Sequence, residues 1–92
     1  MNYLLMAQNG NFSLSGISEL KEEDSLVLLI ALDREKLASE FEADVKRLVR
    51  EAESLKFQME KKKIASKVLI EWGARDEILS ACLAREGAIL LK

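Results

Sequence analysis

Few residues in this chain of 92 are equipped for covalent or metal chemistry, and their spacing decides what they can do. There is one cysteine, Cys82, and no histidine. A nucleophile needs a base within hydrogen-bond reach and a group that orients the base. With no imidazole in the chain, Cys82 lacks the usual activator. It also shares an apolar helical stripe with Ile78, Leu79, Leu83 and Ala84, where cysteine acts as a small core residue. Histidine-ligated metal sites are excluded. Glu22, Glu23 and Asp24 could pair as acid and base or hold a cation, but acidic runs ahead of an apolar segment commonly serve as solvated caps. No glycine-rich phosphate loop, Cys-x-x-Cys pair or calcium-loop spacing is present. The expectation is a binding protein and not an enzyme, with no catalytic set, no cofactor and no metal.

Two surfaces could carry binding. The first is basic: Lys46, Arg47, Arg50, Lys61, Lys62, Lys63 and Lys67 could track phosphates from one stretch of surface. Residues 45–75 hold nine basic and four acidic side chains, a net of +5. Residues 19–44 hold nine acidic and three basic, a net of −6, and residues 76–92 add −1, giving the formal total of −2. Against a nucleic-acid reading stand this overall acidity, the interruptions at Glu51, Glu53 and Glu60, and Phe57 as the lone aromatic among the lysines. A helix-turn-helix starting at Ile64-Ala65 would need its turn glycine about four residues later. Gly73 comes too late for that.

The second surface is apolar. Residues 33–63 contain no glycine or proline and almost no β-branched residue, so nothing there opposes a helix. Ala38, Phe41, Val45, Leu48, Ala52, Leu55 and Met59 recur at steps of three and four, the seam of an amphipathic helix. As a heptad, Ala38, Val45, Ala52 and Met59 take a positions and Phe41, Leu48 and Leu55 take d positions, barely three repeats. The seam at Phe41, Val45, Leu48, Ala52, Leu55 and Met59 could meet a partner helix or fold back within the chain. The acid-to-base gradient favours an antiparallel partner, because opposite charges then face each other. Trp72, beside Gly73 and on the Val68-Leu69 face, is expected to anchor the last helix against the long one, with a role as interface anchor as the alternative.

The elements that must position these residues read as mainly α, in a single small domain spanning 1–92. Residues 1–17 read as a β-hairpin or extended arm, turned at Asn9-Gly10, a favoured type I′ pair. Residues 25–72 read as a long helical region, broken near Asp33 or at Lys61-Lys62-Lys63; an unbroken helix would be about 70 Å long. A shorter helix at 74–87 folds back after Gly73, read as a C′ glycine, and stops at Gly87. Asp24 or Ser25 would cap the first helix. The stretch at 25–32, SLVLLIAL, fits a buried helix or a buried strand by period, and its leucines favour helix. The alternative is a small α/β fold with strands at 25–32, 67–72 and 88–91.

A chain this short buries only about 60–65% of its unfolded surface, which favours a homodimer or a helical hetero-complex with another protein. The function expected first is a helical interaction module, such as an adaptor, assembly factor, export-type chaperone or inhibitor, acting through the coiled-coil-like seam. A small nucleic-acid-associated regulator using the basic face 46–67 is the second. The start has no signal-peptide pattern, no apolar run is long enough to span a bilayer, and the lone cysteine fits a reducing compartment, so a cytoplasmic location is expected.

Overall fold

Between Ser25 and Leu32 every residue is apolar, so this segment can be buried on all sides, as the central strand of a parallel sheet must be. In the computed structural model it is strand β2, Ser25–Leu32. The structure describes residues 1–7, 12, 16–32 and 41–91, with the backbone alone for Ser18 and 41–44. Strand β1, Asn2–Met6, runs parallel along one side of β2, with Leu4 opposite Val27. Strand β3, Ala65–Trp72, runs parallel along the other side, with Leu28 opposite Val68. A two-residue strand β4, Ile89–Leu90, pairs in parallel with the free side of β1. The sheet order is β3-β2-β1-β4.

Parallel neighbours need crossover connections, and these are right-handed. The chain steps from β1 to β2 to β3 in one direction, then returns past both to place β4 beyond β1. Reversing direction while keeping the same hand puts the last helix on the other face. Helix α1, Phe41–Lys61, joins β2 to β3, and helix α2, Arg75–Glu86, joins β3 to β4. Leu5, Leu28 and Ile30 accordingly pack with Leu48, Ala52, Leu55 and Met59 of α1, beside Phe12, Ile17 and Leu20 from the β1–β2 connection. Leu4, Met6, Val27 and Leu29 pack with Ile78 and Cys82 of α2 on the opposite face. Each large side chain buried this way contributes about 1.5–3 kcal/mol of transfer free energy.

The helix ends show why the chain turns where it does. Lys63 adopts a left-handed conformation, φ 62, as α1 stops. The Ile64 amide then donates to the Met59 carbonyl at 2.8 Å. Gly87 ends α2 in the left-handed region at φ 60, and the Ala88 amide donates to the Leu83 carbonyl at 3.0 Å, a Schellman-type closure. Asp76 and Glu77 occupy the first turn of α2, where carboxylates complement the helix dipole.

The mainly α expectation is overturned, and the small α/β alternative describes the chain. Residues 25–72 do not form a long helical region: they run strand, helix, strand. A helix of about 70 Å would exceed the longest dimension of the molecule, 40 Å. Residues 2–6 form no hairpin, because β1 pairs in parallel with β2 and β4. The Asn9-Gly10 turn, the Asp33 cap and Ala38 lie outside the described residues. Gly73 follows a strand instead of ending a helix; its φ is +140 and its amide donates to the Leu32 carbonyl at 2.9 Å. Asp24 caps no helix. Its carboxylate accepts the Lys21 amide at 2.9 Å and the N-terminal ammonium at 3.1 Å, which lowers its pKa, the backbone hydrogen bond contributing most.

Candidate nucleic-acid interface

Helix α1 divides its residues between two faces. Leu48, Ala52, Leu55 and Met59 point at the sheet with 9, 0, 5 and 0% of their surface exposed, and Val45 packs against the same cluster. The side chain of Phe41 lies outside the described residues. The described part of the seam is therefore in use within the chain. Offering it to a partner helix would require α1 to leave the sheet.

The face opposite the seam follows from helical geometry. At 100° per residue, Lys46, Arg50, Phe57 and Lys61 fall within a sector of about 60°, centred opposite Leu48 and Met59. All four are exposed, Phe57 by 58%. The Lys61 ammonium sits 4.7 Å from the centre of the Phe57 ring, a cation–π contact. Lys62 and Lys63 continue the positive charge past the helix end, where it also complements the α1 dipole. From Lys46 to Lys61 the row is about 22 Å long at 1.5 Å per residue. Arg47 stands at the border of this sector, with an ion pair to Glu51 at 3.4 Å. Glu53 and Glu60 flank the row on its other side, also exposed.

The structure brings together six of the seven basic residues named from the sequence and separates the seventh. Lys67 lies on β3 with its side chain on the α2 face, where its ammonium meets the Glu86 carboxylate at 2.5 Å. Trp72 ends β3 and does not wedge α2 against α1; its side chain is 47% exposed. The pairing of Phe57 with Lys61, four residues apart, was available from the sequence by helical angle alone, without knowledge of the sheet.

The remaining chemistry-bearing residues are placed as follows. Cys82 is 1% exposed and packs on the sheet, and its Sγ lies 3.5 Å from Arg85 Nη2. Burial pushes its thiol pKa up, which keeps it protonated and a poor nucleophile. Arg85 also donates to Glu71 at 3.2 Å, and this bond is the main reason its pKa is raised. Arg75 donates to the Ala7 carbonyl at 2.8 Å, tying the start of α2 to the end of β1. Among the described residues no three His, Cys, Asp or Glu side chains gather as a metal site would require, and no helix is long and apolar enough to cross a membrane.

Fold and face together define a small doubly wound α/β protein with a cationic, aromatic-bearing helix on one side. No protein-family model, curated protein or solved structure gives a significant match to the chain.

Proposed function

We propose that this protein binds single-stranded nucleic acid through the outer face of α1, acting as a small cytoplasmic regulator and not as an enzyme. The observation that carries the proposal is the row Lys46, Arg50, Phe57 and Lys61, exposed on the side of α1 that no element among the described residues covers. Cations spaced along one helix face supply sequence-independent attraction to phosphates. An exposed ring among them supplies a stacking platform that accepts any unpaired base. Bases in a duplex are already stacked, so Phe57 favours a single strand. At about 3.4 Å per nucleotide along a strand, a row of about 22 Å would span about six nucleotides. The overall charge of −2 keeps non-specific attraction low, so affinity must come from this local row.

The test is a titration of a labelled single-stranded oligonucleotide, read by fluorescence anisotropy at several salt concentrations, with a duplex of equal length in parallel. The expected result is binding at low salt that weakens steeply as salt rises and favours the single strand. Absence of binding at the lowest salt refutes the proposal, and preference for the duplex refutes the stacking role of Phe57.

A further inference from the structure

Strand β3 forms one border of the sheet, and its sequence is complementary to itself. The Gly73 amide donates inward to Leu32, and backbone groups alternate sides along a strand. Residues 65, 67, 69 and 71 therefore turn their amides and carbonyls toward β2, and their even-numbered neighbours turn theirs outward. Val68 and Ile70 present theirs to the open edge, with no partner among the described residues. Their side chains lie on the α1 face, where Val68 packs against the core and Ile70 is 45% exposed. Leu69 packs against the core on the α2 face. Lys67 and Glu71 share that face, each ion-paired with α2: Lys67 with Glu86 at 2.5 Å and Glu71 with Arg85 at 3.2 Å.

We infer that β3 pairs antiparallel with β3 of a second copy of this chain, about a two-fold axis at Leu69. An outward-facing residue can meet only another outward-facing residue, which restricts the axis to single residues. With the axis at Leu69, Val68 and Ile70 of one copy exchange backbone hydrogen bonds with Ile70 and Val68 of the other. Lys67 then stands opposite the second copy's Glu71, and Glu71 opposite the second copy's Lys67. Both are non-hydrogen-bonded pairs, the kind in which opposing side chains come closest. Each charge is already paired with α2, so Glu86, Lys67, Glu71 and Arg85 would form an alternating row across the junction, twice by symmetry. Neighbouring registers lack this match. An axis at Lys67 sets lysine against lysine, an axis at Glu71 sets glutamate against glutamate, and axes at Val68 or Ile70 leave both charges opposite uncharged residues. The edge therefore specifies both its partner and its register.

The pairing would double the four strands into one eight-stranded sheet. The two-fold axis stands perpendicular to the sheet, so both α1 helices lie on the same face. This inference does not depend on nucleic-acid binding, and its test uses no nucleic acid.

The test is sedimentation velocity of the full chain over rising concentration, with Lys67→Glu and Glu71→Lys variants studied singly and mixed. The wild type is expected to be a dimer. Each variant turns two attractive cross-strand pairs into two repulsive ones and should lose about tenfold or more in dimerisation affinity. The mixture restores both pairs, because the Lys67→Glu chain then faces the Glu71→Lys chain with opposite charges at both positions, and should recover the dimer. Recovery on mixing also shows that neither variant failed merely by unfolding. Amide exchange should slow at Val68 and Ile70 as the dimer forms. A monomeric wild type would overturn the inference. So would a dimer that both variants preserve, or a mixture that stays monomeric.

Discussion

Replacing Phe57 by alanine should separate the proposed binding from stability. The ring is 58% exposed, so its removal takes little from the core. It forfeits the contact with Lys61, about 0.5–1 kcal/mol at an exposed site, and gains up to about 0.7 kcal/mol of helix propensity. These offset each other, so the urea midpoint should stay close to that of the wild type. Binding should behave differently. A base stacked on an aromatic side chain is worth about 1–3 kcal/mol, which is about a 5- to 150-fold loss of affinity at 1.4 kcal/mol per decade. No charge is removed, so the dependence of log affinity on log salt should keep its slope. Arg50→Ala is the converse. It should lower the slope by about 0.7 for a single strand, one phosphate contact's share, and weaken all sequences alike. The assay is anisotropy with one oligonucleotide at four or more salt concentrations, beside urea unfolding of the same samples. Unchanged affinity for Phe57→Ala, or an unchanged slope for Arg50→Ala, would refute the assignment of this face.

Two residues before Phe57, Leu55 is 5% exposed on the opposite side of the helix, and Leu55→Ala should destabilise by about 2–5 kcal/mol in urea unfolding. Leu48→Asp should unfold the chain, because its carboxylate would be buried against the sheet; a folded Leu48→Asp monomer would show that the seam is not core. Gly87→Ala should cost about 1–2 kcal/mol by conformational strain alone, since nothing stands within 4 Å of the added methyl, and Gly87→Asn should recover part of it. The Cys82 thiol has its folded pKa raised by burial, so its contribution to stability is present below the unfolded pKa. It is lost as pH climbs through the folded one, and stability should decline on the alkaline side in wild type more than in Cys82→Ala. Alkylation of Cys82 should be slow in the native protein and fast in denaturant; equal rates would contradict its burial.

What could be read from the sequence depended on how many sides of each element are buried. Helix α1 was legible because one of its faces meets the sheet and the other meets water, which leaves a 3.6-residue period in the apolar pattern. Strand β2 was not, because both its faces are covered and both its edges are paired. A strand in that position has no reason to alternate, and a run such as SLVLLIAL then has no period at all. Its leucines pointed to helix on propensity, but a strand in the middle of a sheet is held by burial and ladder hydrogen bonds, which outweigh a few tenths of a kcal/mol per residue. Strand β1 was misread for a related reason. Asn9-Gly10 is a strong local turn signal, whereas the true partners of β1, Ser25–Leu29 and Ile89–Leu90, are far along the chain and leave no local trace. Gly87 was legible because a left-handed helix end is a local demand that glycine meets.

The same distinction governs the candidate site. A cationic row on a helix can be found from the sequence only when the buried side of that helix is known, because the outer face is defined by what the inner face contacts. With the seam set on the sheet, Lys46, Arg50, Phe57 and Lys61 become one row, and Lys67, close in sequence, leaves it for the other side of the sheet. There Lys67 meets Glu86 of α2, and Glu71 on the same face of β3 meets Arg85. The chain's acid-to-base gradient, read along one helix, pointed to an antiparallel helical partner. On the folded molecule, Lys67 and Glu71 stand four residues apart on one edge strand, and the antiparallel pairing we infer rests on that strand and not on a helix.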